Sequence, residues 1–234
     1  MNWKQAAAEF FLIVIGVSIA LAADSWLAER DKAERTERLL NSLEAEWAAD
    51  LKYMDANLEK VGQAMPAIRR MISAHDNSPQ DLTAAEAASL LEQAWDWHLF
   101  LPSDGALNTL LVDGVQNIED ASLRLAIASW RSVLDSLANE KAALNELGTV
   151  GEPRIGTIIA HESGKAFPND VAEYPWFTHG MEPGDFALAA IGNDEWVTLQ
   201  RHTLVLLYRY QHAMTPVRDT LEQNLTSLRE RAGN

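Results

Sequence analysis

Between Phe10 and Ala23 the chain runs without a charge, and Ser18 is the one polar side chain in the stretch. A backbone placed in hydrocarbon must satisfy its hydrogen bonds within itself, so a run of this kind that enters a membrane can only be a helix. Ala6, Ala7 and Ala8 extend it on the amino side of Glu9, and Trp3 and Trp26 flank it. At about 1.5 Å per residue the two indoles stand roughly 34 Å apart, which matches a hydrocarbon core of about 30 Å with one aromatic anchor in each interface. Nine strongly apolar residues (Phe10, Phe11, Leu12, Ile13, Val14, Ile15, Val17, Ile19 and Leu21) favour insertion by about 3–5 kcal/mol. Glu9 lies near an end, where a carboxylate costs less than the roughly 2.5–3.5 kcal/mol it costs at the centre. Residues 1–27 are therefore expected to be a transmembrane anchor, with the lipid bilayer as first partner.

Two other readings compete. Ala20-Leu21-Ala22 has the small-x-small form of a signal-peptidase site, with Lys4 as a thin basic region, so the segment also fits a cleaved secretory signal. Against this, the chain after Ala22 passes directly into helix-forming sequence from Asp24 to Arg38. A buried core helix is the other, since the uninterrupted run is short for a span.

One face of this helix differs from the rest. At 100° per residue Glu9, Gly16, Ala20, Ala23 and Leu27 fall close to one line, and Gly16-x-x-x-Ala20 is a spacing that lets helices approach closely. A carboxyl group on that face calls for a hydrogen-bonding partner in another helix. The expectation is lateral association through Glu9, Gly16, Ala20 and Ala23, with a second copy or with other membrane proteins.

The run from Glu9 through Gly16, Ala20 and Asp24 to Trp26 resembles the start of a bacterial family of single-pass, membrane-anchored helical proteins of unknown function. The stretch Pro102-Ser-Asp-Gly-Ala106 through Gly114 and Ile118 to Leu123-Arg124 is similar to the second signature of that family. The likeness covers about the first 50 residues and residues 100–135, and departs from many members in the shortness of the basic amino-terminal tail. It implies a retained anchor in a bacterial inner membrane and a helical domain, and carries no activity with it.

Helical periodicity fills most of residues 28–234. From 28 to 75 Leu40, Trp47, Met54, Val61 and Ile68 recur every seven residues, accompanied by Leu51, Leu58, Met65 and Ile72. Asp50 and Asn57 occupy places that a strict two-stranded seam would make apolar, which favours a bundle helix. Glu29 to Arg38 alternates in sign, as in a solvated, salt-bridged stalk. Pro66 and Pro216 are expected to kink their helices. Thr83-Ala-Ala-Glu86 forms a capping box opening a helix over about 84–98. Further helices are expected over 105–113, ended by Gly114, over 120–147, stopped by Gly148, and over 194–231, with a short one near 155–161. The fold class that follows is all-α: a transmembrane helix continuing into a long stalk, packed into a helical bundle outside the membrane. Residues 164–185 hold Pro168, Pro175 and Pro183, and this irregular stretch carries Tyr174, Trp176 and Phe177, a possible partner-contact loop or a lid folded back on the bundle.

Charge narrows the partners. The formal net charge is −15, and residues 71–200 hold 20 acidic against 5 basic groups. A chain of this balance lacks the basic stripe that nucleic acid requires, and its acidic middle suits a cationic protein. There is no cysteine, so disulfides and thiolate chemistry are excluded. His75, His98, His161, His179, His202 and His212 form no compact metal-ligand spacing, and phosphate-binding and nucleophile-elbow motifs are missing. No catalytic residue, metal site or cofactor is expected. Two functions remain: a scaffold or accessory subunit of a membrane complex, and a sensor whose bundle holds a small molecule. Arg30, Lys32, Arg35 and Arg38 outweigh Lys4 and the terminal amine, which leans toward a cytoplasmic domain, while the short tail of a signal anchor favours the opposite side, so both orientations stay open.

Overall fold

Helix after helix forms because apolar positions recur at spacings of three and four, and no described residue lies in a strand. The computed structural model describes residues 3–77, 82–151 and 182–232. In chain order these are α1 (Trp3–Asn77), α2 (Ala84–Trp95), α3 (Gly105–Asp113), a 3-10 turn at Val115–Asn117, α4 (Ala121–Asp135), α5 (Ala138–Glu146), α6 (Pro183–Gly192) and α7 (Asp194–Ala232). The architecture is the expected all-α bundle, with an apolar amino-terminal helix running on into a helix that packs against others.

The chain forms two compact units. The first takes α1 through Trp47, residues 103–128 and the end of α7 from Asn224. Its core contains Leu40, Leu43, Trp47, Leu107, Leu110, Ile118, Leu123, Ile127, Leu225 and Leu228. Arg229 pairs with Glu44 at 3.0 Å and Arg231 with Glu37 at 2.9 Å, so the end of α7 runs antiparallel to α1 here. The second unit takes residues 48–102 and 129–223. Within it α2 buries Ala87, Leu91 and Ala94, while α6 buries Phe186, Ala187, Ala190 and Ile191. These two helices approach closely at their starts: a Cβ on Gly184 would lie 2.6 Å from the carbonyl oxygen of Ala84, so only glycine fits.

The buried stripe of α1 contains the whole expected seven-residue repeat, and Met65 among its expected companions, but differs in the other companions. Its seam runs through Leu40, Leu43, Trp47, Asp50, Met54, Asn57, Val61, Ala64, Ile68 and Met71, an alternation of three and four. Leu51, Leu58 and Ile72, expected to accompany the seven-residue repeat, are only half-buried, and Asp50 and Asn57 take the inner places. On α7 the buried set runs from Trp196 and Val197 through Gln200, Thr203, Leu207, Tyr210, Met214, Val217 and Leu221 to Leu225 and Leu228, with Leu199 and Leu206 one position off the seam.

Partners distant in sequence account for part of this polar burial. Asn57 receives a hydrogen bond from His98 N–H at 3.1 Å on its carbonyl oxygen and donates its amide to the His98 carbonyl and the Tyr210 hydroxyl. The Tyr210 hydroxyl also accepts Phe100 N–H at 2.8 Å. These two side chains take up backbone groups of His98 and Phe100 that a helix would pair internally, and the helix expected over 84–98 ends at Trp95. Burial pushes the Tyr210 phenol up to about 12. Its folded pKa thus exceeds the ordinary value of about 10, so the stability it contributes is complete below pH 10 and declines as pH rises from there toward 12, by about 2–3 kcal/mol in all. Urea unfolding across that range should show the decline in the wild type and lose most of it in Tyr210→Phe.

Gln200 differs: it is fully buried, and neither amide atom has a partner among the described residues. An unpaired buried amide costs stability. Gln200→Leu is expected to stabilise the fold by about 1–2 kcal/mol in urea unfolding.

Other expectations change at helix ends. The helix expected over 120–147 breaks at Ser136 and Leu137, where the Ser136 hydroxyl donates to the Val133 carbonyl at 2.6 Å and competes with the helical ladder. Gly148 does not stop the chain, which continues as a π turn over Leu147–Gly151. Helix α6 begins inside the stretch read as irregular, with Pro183 pre-setting its first turn. Neither Pro66 nor Pro216 interrupts its helix. Both lie on exposed faces, so the carbonyls they leave unpaired can turn to water. The possible helix near 155–161 lies outside the described residues.

Candidate membrane-contact surface

Every described side chain from Phe10 to Arg35 is exposed. An 18-residue window of α1 reaches a mean hydropathy of 2.1 with none of it buried. Within the single chain the stretch is not part of the core: Phe11, Leu12, Ile13 and Ile19 are each 64–70% exposed. One helix is thus long and apolar enough to cross a membrane.

Local chemistry along this helix suits hydrocarbon below and water above. The Ser18 hydroxyl donates to the Val14 carbonyl at 2.8 Å and is satisfied within the helix. Arg30 lies over the Trp26 ring at 5.7 Å and pairs with Glu34 at 3.0 Å, a ladder from apolar to charged within two turns. Around Gly16 nothing lies within 4 Å of where a Cβ would stand, and Ala20 and Ala23 are exposed, so the small-residue face is uncovered in the single chain. Trp3 and Glu9 fall within α1, but their side chains lie outside the described residues, as do Tyr174, Trp176 and Phe177.

Residues 103–124 belong to the first unit. Asp104 precedes α3 but makes no capping hydrogen bond. Glu46 of α1 supplies it, its carboxylate oxygens accepting Ala106 N–H at 3.0 and 3.1 Å. A Cβ on Gly105 would stand 3.1 Å from that carboxylate, which is why glycine suits this place. Gly114 ends α3 at φ 125°, a conformation other residues resist. Arg124 then donates to the Ile118 and Glu119 carbonyls and ties the turn to α4. Sequence reasoning missed Glu46, because a cap from another helix leaves no local spacing. Glu46→Ala is expected to destabilise this unit by about 1.5–3 kcal/mol, and Glu46→Gln by less, read by thermal unfolding of the full chain.

The second unit carries a groove of about 520 Å³ lined by Ala143, Glu146, Leu147, Leu199, His202, Val205 and Leu206. Val205 and the nearby Tyr208 are 58% and 61% exposed. Among the described residues no group of three or more metal-ligating side chains comes together. His75 bonds the Ile191 carbonyl at 2.7 Å and faces Asp194 at 3.1 Å, joining α1 to the start of α7. Trp95 and Trp97 are half-buried, and the Trp97 indole donates to the Ala94 carbonyl at 3.0 Å.

Compared with family models, curated proteins and solved structures, the chain matches none.

Proposed function

We propose that this chain is a non-enzymatic, single-pass protein of a bacterial inner membrane, acting as scaffold or accessory subunit of a larger membrane protein complex. The observation that carries the reading is the wholly exposed apolar stretch of α1, continuous with a helix whose later residues form the core of a bundle. An anchor of this kind with an uncovered small-residue face has a use for a neighbouring helix. The acidic residues of the middle of the chain would meet a cationic partner. Purification of the tagged full chain in mild detergent, followed by size analysis, is expected to yield an assembly larger than one chain. A lone monomer that takes up a metabolite would overturn the scaffold reading in favour of a sensor. The groove at Leu147, Leu199 and Leu206 is the observation that keeps the sensor in play, although its mostly apolar lining suits a partner's side chains better than a polar ligand.

A further inference from the structure

A second cavity, of about 140 Å³, lies in the first unit between α1 and the end of α3. Lys32, Arg35, Thr36, Leu39, Leu110, Gly114 and Asn117 line it. The polar groups among these are two cations, a hydroxyl and an amide, with no carboxylate, in a protein whose net charge is −15. Arg35 also engages another group, so Lys32 and the neutral donors supply much of the selectivity. Gly114 lets the far wall close in: a Cβ there would stand 2.7 Å from the Asn117 amide nitrogen and 2.8 Å from that of Gln116.

Depth along α1 narrows the ligand. Ala106 lies beside Glu46 and Gly114 beside the Lys32–Leu39 stretch, so α3 descends toward Trp26. Lys32 follows Trp26 by about 9 Å of helix, and side chains on a helix lean toward its amino end, here back toward the anchor. The headgroup layer is about 5–8 Å thick on each side of the hydrocarbon. A lysine of this reach meets that layer from outside.

We infer that this cavity seats the phosphate of an anionic lipid headgroup. The inference rests on the anchored reading above. Phosphate oxyanions, whether of a lipid or free in solution, suit the same donors; the depth of the cavity favours the lipid. Lys32 supplies the charge, and the Thr36 hydroxyl and Asn117 amide direct hydrogen bonds to the oxygens.

The test uses the full chain in nanodiscs of equal parts phosphatidylcholine and phosphatidylglycerol, with lipids retained after transfer to mild detergent counted by native mass spectrometry. The wild type is expected to retain phosphatidylglycerol preferentially by about fivefold. Lys32→Gln with Asn117→Leu should bring retention near parity, Lys32→Arg should keep the preference, and Arg30→Gln, about 3 Å of helix from Lys32 but outside the cavity, should leave it unchanged. Equal retention in the wild type, or an unchanged preference in the double variant, would overturn the proposal. Loss of the preference on adding millimolar inorganic phosphate would overturn the lipid assignment in favour of a soluble anion. Carbonate extraction reads the anchor separately: release of the wild type from membranes would sink the anchored reading, whereas a double variant that stays integrated but loses the preference supports the seat.

Discussion

Val14→Arg combined with Ile15→Arg should release the protein from membranes while leaving its bundle folded. The two positions lie midway between Trp3 and Trp26, where the cost of a charge is greatest. Each substitution adds about 2.5–3.5 kcal/mol and removes about 0.3–0.6 kcal/mol of favourable transfer, a combined change of about 6–8 kcal/mol. That exceeds the roughly 3–5 kcal/mol with which the nine strongly apolar residues favour insertion. Because both side chains are exposed in the fold, 42% for Val14 and 53% for Ile15, neither contributes to the core. The expected result is a shift from the carbonate-resistant to the soluble fraction with an unchanged thermal unfolding midpoint. A parallel loss of stability would mean that the segment packs on the protein itself. Continued resistance to carbonate would mean that other surfaces hold the chain to the membrane.

The largest loss of stability is expected from Trp47→Ala. Trp47 is fully buried, and in the first unit its fellow core residues are smaller aliphatics such as Leu43, Leu107 and Ile127. Removing a buried indole typically costs about 3–5 kcal/mol, because the transfer term is lost and the neighbours refill only part of the cavity. For a domain holding about 5–15 kcal/mol in total, that is a large share. Hydrogen exchange should locate the effect, with amides of α3 losing protection first, since Leu107 and Leu110 of that helix share the core with Trp47. Trp47→Phe, which retains much of the volume, should cost distinctly less. A change below about 1 kcal/mol for the alanine variant would contradict this packing.

Ion pairs carry less of the fold. Arg218 reaches Asp55 at 2.8 Å, Asp219 at 3.3 Å and also Glu222, and hydrogen bonding chiefly to Asp55 raises its already high pKa. The guanidinium therefore stays charged at every working pH, but the acids around it are half-exposed or more, and such pairs contribute little each. Their value here is alignment: Asp55 with Arg218 and Asp76 with Arg201 fix the antiparallel course of α7 beside α1 in the second unit.

The class of the protein was legible in the sequence because it depends on local pattern. An apolar run bounded by Trp3 and Trp26, a seven-residue repeat from Leu40 onward and the capping box at Thr83 each depend on neighbours within a few turns, and the helices that follow from them are present. The small-residue face at Gly16, Ala20 and Ala23 could likewise be placed from angular spacing alone. What tertiary structure alone decided is which neighbours of the repeat turn inward with it and which polar groups they include. Leu51 and Asp50 are adjacent in sequence, and hydrophobicity favours burying the leucine; the structure buries the aspartate, because the phase of the seam is set for the whole helix by what packs across it. Asn57 is tolerated inside by His98 and Tyr210, which lie 41 and 153 residues away. The cap of α3 comes from Glu46, 60 residues before Ala106. Periodicity is a property of one helix and can be read along the chain, whereas the satisfaction of a buried polar group is a property of two segments and exists only once they meet.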